Sequence, residues 1–203
     1  MRWVLTLFAV SIGYSVVRYV TFTPKNIENL PIFVINKGLS MGAALCFVAA
    51  FMQQWRKARG RAVRTEAGLW FRAGAYAAIA HIPMSLVILR PGYFKEFFDG
   101  ERLNFGGEAV FLFGALTAGA IYLQHRAGWT AVKRWVLSLF TVGLLFAHVL
   151  AMGICRGVHL DRTHAYLPPM WLLSLIAIAA GLFFVVASRP RDDSAAPQAF
   201  ESR

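Results

Sequence analysis

Two stretches decide the fold: residues 68–89 read GLWFRAGAYAAIAHIPMSLVIL, and residues 133–153 read KRWVLSLFTVGLLFAHVLAMG. Each is almost wholly apolar, and each has about the 20 residues that a helix needs to cross a hydrocarbon core of roughly 30 Å. Each also carries one histidine in its second half, His81 in the first stretch and His148 in the other. Because an ionisable side chain is costly inside a bilayer, these two residues are the first candidates for function.

Four further stretches have the same character, which makes six predicted spans. They cover residues 3–22, 32–55, 68–89, 106–123, 135–154 and 170–187. The chain is 58% hydrophobic and 15% charged, with a mean hydropathy of +0.53, whereas a soluble domain is about a quarter charged. The sequence therefore predicts an all-α, polytopic membrane bundle of six transmembrane helices within residues 1–187. Residues 188–203 are polar and predict a disordered cytoplasmic tail.

The net charge of +11 is distributed along the chain as in a membrane protein. The loops after the second and fourth spans and the tail are rich in arginine and lysine, whereas the other three loops are nearly balanced. The positive-inside rule then places both termini in the cytoplasm and predicts a multi-pass protein of the inner, cytoplasmic membrane. This distribution favours contact with anionic lipid headgroups over binding of nucleic acid. The first apolar run lacks a clear cleavage site before Arg18, so we interpret it as a retained span and not as a signal peptide.

The two histidines lie at matching depths. Counted from Gly68 and from Arg134, both lie roughly 20 Å from the cytoplasmic end of their helices, at about 1.5 Å per residue. Two imidazoles that face each other can ligate one metal. Haem is the obvious candidate, because its iron takes two axial ligands and its flat, apolar macrocycle fits between the helices of a bundle. Several small residues near the histidines would leave room for it: Gly74, Ala75, Ala77, Ala78, Ala80, Gly143 and Ala147.

A second interpretation stays open. A histidine in a membrane helix also serves as a hydrogen-bonding contact to a neighbouring helix, and small residues pack helices closely. The chain would then be a haem-free membrane protein, either a small transporter or an assembly partner, in which His81 and His148 are interhelical polar contacts or a proton relay. Against a transporter, the sequence has no internal repeat, and only Pro83 interrupts a span.

The layout resembles the ferric reductase-like transmembrane domain family, which includes the haem-binding membrane subunit of the bacterial periplasmic methionine sulfoxide reductase system. The resemblance covers about residues 35–185. It is carried by His81 after a basic loop, and by His148 in a span that begins with Lys133, Arg134 and Trp135. It implies that these histidines are the axial ligands of one outer-leaflet haem b in the electron-transfer subunit of an oxidoreductase.

The sequence departs from the two-haem members of that family, which carry a second histidine nearer the cytoplasmic end of both helices. The corresponding positions here hold Ala67 and Gly68, and Arg134 and Trp135. A single haem is therefore expected. The chain also has no flavin or nicotinamide domain and no GxGxxG motif. We expect electrons to come from a membrane quinol or from a partner reductase that contributes any flavin. The acceptor would be a periplasmic redox partner or a small oxidant such as a ferric chelate.

Four polar residues flank the predicted haem position: Arg18, Asn36, Lys37 and Glu108. Lys37 or Arg18 would pair with haem propionates, and Glu108 would bind a proton or pair with Lys37. The alternative is that these side chains reach out to the lipid headgroups.

The loop after the fifth span contributes His159 and His164, with Asp161 between them. This is a weak metal pattern because it lacks a third clear ligand, and one of the histidines would at most be a spare haem ligand. Cys46 and Cys155 lie in no ligand-like spacing, so we expect two unpaired thiols.

Overall fold

The computed structural model describes residues 1–22, 30–63, 65–125, 128–155 and 167–190. Six of its helices are long and apolar enough to cross a membrane, which confirms the predicted all-α, six-helix membrane bundle. They are α1 (Arg2–Val16), α2 (Ile35–Ala58), α3 (Ala67–Ile88), α5 (Phe105–Gln124), α6 (Ala131–Cys155) and α7 (Met170–Ala187), and the short helix α4 (Pro91–Phe94) follows α3. One π-helical turn, Val17–Thr21, extends α1, and another, Leu30–Val34, leads into α2.

Two helix ends differ from the predicted spans because polar residues extend the helices beyond the apolar runs. α2 continues past Trp55 to Ala58, since Arg56 and Lys57 in its last turn interact favourably with the helix dipole. α6 begins at Ala131, where the Thr130 hydroxyl accepts a hydrogen bond of 3.3 Å from the Lys133 amide. A prediction from hydropathy alone includes neither the helix-dipole interaction nor the hydrogen bond at the helix start.

α2 lies at the centre of the bundle and is the most buried of the six spans. It packs against α1, α3 and α7, while α6 packs against α5 and α7. The helices thus follow the order α3, α2, α7, α6, α5. Close backbone approaches between α3 and either α5 or α6 are few among the described residues. The arrangement leaves side chains, and not backbones, to fill the space between α3 and the α5–α6 pair.

The two ends of the bundle differ in character. We call the end that holds the connection from α3 to α5 the hairpin end, and the end that holds the arginine-rich loop after α2 the basic end. Towards the basic end the interior is filled by one apolar cluster to which five helices contribute. Its members include Phe47, Phe51, Ala75, Ile121, Val142, Ile178 and Val185, each at most 7% exposed.

At the hairpin end, the connection between α3 and α5, which we expected to be a loop, contains regular secondary structure. After α4 come a 3₁₀ turn, Lys95–Phe97, and a two-stranded antiparallel hairpin of β1 (Phe98–Asp99) and β2 (Arg102–Leu103). Gly100 forms the turn with a φ of +65°, a conformation that glycine adopts without steric cost. The ring of Phe97 stacks on that of Phe94 at 5.4 Å and is 1% exposed, so this segment is packed onto the bundle.

Large apolar side chains cover much of the outer surface. Tyr76, Ile79, Phe111, Phe140 and Phe183 are each more than half exposed, and they lie on α3, α5, α6 and α7. Apolar faces on so many helices are costly in water but are the normal surface of a protein in lipid. With the six long helices, they identify the chain as a multi-pass membrane protein.

Both cysteines are free thiols, as predicted. α7 ends at Ala187, and the chain is described as far as Pro190. The rest of the predicted tail, residues 191–203, lies outside the described residues.

Two glycines on α2 allow α1 to approach closely. A Cβ added at Gly38 would lie 2.8 Å from the Cα of Ile12, and one added at Gly42 would lie 2.5 Å from the ring of Phe8. The sequence from Gly38 to Gly42, GLSMG, is a small-xxx-small motif of the kind that brings membrane helices together.

We predict that Gly38→Ala destabilises the bundle by about 1–3 kcal/mol, the usual cost of overpacking, because the new methyl group meets backbone that cannot move aside. Gly13→Ala is the matched control, since a Cβ there meets nothing within 4 Å. Thermal unfolding in detergent measures both variants. Equal melting temperatures for Gly38→Ala and Gly13→Ala would contradict the described α1–α2 contact.

Candidate functional site

His81 on α3 and His148 on α6 both lie towards the hairpin end of the bundle interior. The imidazoles are within electrostatic range of each other, and the ammonium group of Lys37 on α2 is within range of both. Three helices therefore each place one basic side chain in this part of the bundle.

His148 is held by α5. Its Nδ1 lies 2.8 Å from the carbonyl oxygen of Val110. A carbonyl oxygen only accepts hydrogen bonds, so Nδ1 is the donor and carries the proton. In a neutral ring the lone pair is then on Nε2, the arrangement in which histidine ligates a metal while its other nitrogen is anchored.

Gly114 makes the contact between His148 and α5 possible. It lies one turn after Val110, and a Cβ added there would stand 3.1 Å from Cε1 and 3.2 Å from Nδ1 of His148. Only a residue without a side chain leaves the ring at its present distance from α5.

His81 is held by α2. Its Nδ1 lies 2.6 Å from Oδ1 of Asn36, which is only 2% exposed. Because the amide oxygen accepts, Nδ1 of His81 is again the donor and Nε2 carries the lone pair. The two histidines thus share one arrangement, although their hydrogen-bond acceptors are unrelated.

Ser85 completes the surroundings of His81. The Nδ2 group of Asn36 donates a hydrogen bond of 3.0 Å to the Ser85 hydroxyl. The same hydroxyl lies 3.3 Å from Nδ1 and 3.2 Å from Nε2 of His81. An oxygen almost equally far from both nitrogens lies over the face of the ring, so it does not occupy the in-plane lone pair of Nε2.

The aromatic rings of Phe33 and Phe94 lie beside Lys37 at the hairpin end of the site. The Nζ atom of Lys37 lies 5.5 Å from the ring centre of Phe33 and 4.9 Å from that of Phe94, and Lys37 is only 8% exposed. Cation–π contacts of this kind help to hold an ammonium group in an apolar setting. Lys37 is therefore directed into the bundle near the histidines, and not out to the headgroups.

Arg18 is buried at the end of α1 and bonds to the segment before α7. It is 3% exposed, and its guanidinium donates to the carbonyl oxygens of Leu167 and Pro168. The Tyr14 hydroxyl donates to the same Pro168 oxygen at 2.6 Å. Arg18 thus ties the end of α1 to the segment that precedes α7.

The other ionisable residues named from the sequence, together with His125, have different surroundings or lie outside the described residues. Glu108 is exposed in the first turn of α5, next to the Asn104 cap. His125 lies at the basic end, where its ring packs 5.3 Å from that of Phe71. His159 and His164 lie outside the described residues.

The site offers two imidazoles as ligands, each with Nδ1 anchored to an oxygen of a neighbouring helix. No group of three or more metal-ligating side chains occurs among the described residues. A porphyrin supplies four nitrogens of its own and asks the protein for two axial ligands, a role that the two Nε2 atoms would be able to fill.

The small residues divide into two groups. Gly74 packs against α2, because a Cβ there would stand 3.2 Å from the Ala43 carbonyl oxygen, and Ala75 and Ala77 are buried. Gly143 borders open space, with nothing within 4 Å of an added Cβ. Residues expected to make room for a macrocycle thus serve partly in the α2–α3 contact.

Sequence reasoning did not assign roles to Ser85, Val110 and Gly114. Ser85 lies one helical turn after His81, so its spacing could have indicated a contact. The roles of the Val110 carbonyl and of Gly114 could not be predicted from spacing. They depend on how α5 packs against α6, which decides the backbone group that the His148 ring contacts.

We predict that Gly114→Ala displaces the His148 ring by a few tenths of an ångström and weakens its bond to Val110. The melting temperature in detergent should fall, since a buried polar group that loses its partner costs about 1–3 kcal/mol. Gly119→Ala on the same helix is the control, because a Cβ there meets nothing within 4 Å. A Gly114→Ala protein as stable as Gly119→Ala would contradict the described position of the ring.

Comparison with known proteins leaves the site to be interpreted from its own geometry: a scan against models of protein families finds no match to this chain, and a search of curated proteins finds none either.

Proposed function

We propose that the protein is a membrane b-type cytochrome that passes electrons through one haem ligated by His81 and His148. The observation that carries the proposal is the common state of the two imidazoles. Both donate from Nδ1 to an oxygen of a neighbouring helix, and both retain the lone pair on Nε2. When bound, haem would supply reversible one-electron chemistry at its iron, and bis-imidazole ligation would leave no open position for a substrate.

The protein's own residues would control the setting of that centre. The hydrogen bonds at Nδ1 orient both rings and make them stronger electron donors. The aromatic group of Phe33, Phe94 and Phe97 keeps water out at the hairpin end. Lys37, in range of both imidazoles, would balance the negative charge of propionates, whereas Arg18 is engaged with the segment before α7.

One haem, and not two, is the number that the bundle supports. The interior towards the basic end is filled by the cluster around Phe47, Phe51 and Val142. The described residues there offer no histidine pair equivalent to His81 and His148; His125 instead contacts Phe71 and the Ile121 carbonyl. This packing agrees with the absence of a second histidine pair in the sequence.

We further propose that the chain lies in the inner, cytoplasmic membrane with both termini in the cytoplasm. The arginine-rich loops support this orientation. The hairpin end then faces the periplasm, and the acceptor would be a periplasmic redox partner or a small oxidant that meets the protein there. Electrons would arrive from a quinol or from a partner reductase, which would contribute any flavin.

A second candidate function rests on the same hydrogen bonds. In a haem-free transporter or assembly partner, the pairs His81–Asn36 and His148–Val110 would be interhelical contacts, since they already satisfy one nitrogen of each ring. This candidate leaves unexplained why both Nε2 lone pairs are kept and why the two rings and Lys37 lie together.

A difference spectrum distinguishes the two candidates. The protein is expressed in haem-replete cells, purified in detergent and measured as dithionite-reduced minus oxidised. We expect sharp b-type bands in the wild type and their loss in both His81→Ala and His148→Ala, because each variant removes one axial ligand.

His125→Ala is the matched control, since this histidine lies on a neighbouring helix at the basic end, and its bands should match those of the wild type. A wild-type protein without haem bands, or bands that survive both ligand substitutions, would overturn the proposal and favour the haem-free candidate.

A further inference from the structure

His81 and His148 differ in what anchors them. The acceptor for His148 is a main-chain carbonyl within α5, which the helix holds rigidly. The acceptor for His81 is the side-chain amide of Asn36, on a different helix, and an amide can rotate to present either oxygen or nitrogen. The tautomer of the His81 ring therefore depends on the orientation of that amide.

In the structure the amide has one orientation. Its Nδ2 group donates to the Ser85 hydroxyl at 3.0 Å, and its Oδ1 is turned to His81 Nδ1, 2.6 Å away. If the amide rotated, Nδ2 would face Nδ1, and the ring would have to place its proton on Nε2. The orientation of one amide thus decides which ring nitrogen keeps the lone pair.

Asn36 is a buried residue of the bundle interior. It is 2% exposed and lies in the most buried of the six helices. Loss of its hydrogen bonds would be penalised in an apolar medium. α2 thereby contributes more than packing, because it sets the chemistry of a ring on α3.

We propose that Asn36 is the positioning residue that holds His81 as the Nδ1–H tautomer, with its Nε2 lone pair available in the space shared with His148. The assignment of that lone pair to haem iron rests on the proposed function. The tautomer itself does not, so it can be measured on protein without haem.

The test is ¹⁵N NMR of histidine-labelled protein in detergent micelles without haem. The chain has five histidines, and His81→Ala identifies the His81 signals by their loss. We expect the Nδ1–H tautomer for His81 in the wild type. In Asn36→Leu, which keeps similar bulk but removes the amide, we expect a mixture of both neutral tautomers.

Two further variants separate positioning from folding. Asn36→Asp retains an acceptor oxygen and should retain the Nδ1–H tautomer, which would rescue the effect of Asn36→Leu. Ser40→Ala is the control on the same helix, because the Ser40 hydroxyl donates to the nearby Lys37 carbonyl at 2.9 Å, and it should leave His81 unchanged. If Asn36→Leu fails to fold, Asn36→Ala, which also removes the amide, is expected to produce the same mixture.

Haem-loaded protein gives the second readout. Asn36→Leu should keep haem through His148 but convert part of it from the six-coordinate low-spin form to a five-coordinate high-spin form, and Asn36→Asp should stay six-coordinate.

The outcomes separate the two proposals. A His81 tautomer that is unchanged in Asn36→Leu, or in Asn36→Ala where the leucine variant does not fold, would overturn the positioning role, whether or not haem is bound. A wild-type protein without haem whose tautomer still follows Asn36 would overturn the proposed function and leave the positioning role standing.

Discussion

The structure depends on one physical constraint: an imidazole in a water-free bundle must find its hydrogen-bond partners on neighbouring helices. His81 finds Asn36 on α2, and His148 finds the Val110 carbonyl on α5. In both cases the partner is an oxygen that only accepts, so the ring proton lies on Nδ1 and the lone pair on Nε2. The same bond that satisfies each ring also leaves it ready to act as a ligand.

The helix arrangement serves this constraint. α2 packs on α1 through Gly38 and Gly42 and places Asn36 and Lys37 in the interior. Gly114 on α5 has no side chain and so leaves room for the His148 ring. The backbones of α3 and α6 stay apart, while the apolar cluster around Phe47 and Phe51 closes the interior towards the basic end. Towards the hairpin end, the polar groups of His81, Asn36, Ser85 and Lys37 lie next to the aromatic rings of Phe33 and Phe94.

Much of this could be predicted from the sequence, and the reasons are specific. The six spans follow from hydropathy, because length and apolar composition are nearly sufficient to define a membrane helix. The matching depths of His81 and His148 follow from counting residues along two parallel helices, and the two imidazoles lie within electrostatic range of each other. The regular structure between α3 and α5 could not be predicted from the sequence, because it arises when Phe94 and Phe97 pack onto helices that are distant in sequence. The anchors of the two rings were also missed, since a backbone carbonyl and a glycine acquire their roles only when α5 meets α6.

We propose, as the central claim, that the two rings face one another across one space, and cross-linking measures this most directly. Cysteines replace His81 and His148 in a protein whose Cys46 and Cys155 are changed to alanine, and a short bifunctional thiol reagent is applied in the membrane. Cleavage at a protease site introduced between α5 and α6 then shows whether the two halves stay joined. The account predicts efficient joining for this pair and little for Ile79→Cys with His148→Cys, because Ile79 lies at a similar depth but is 64% exposed. Equal joining of both pairs, or of neither, would contradict the account.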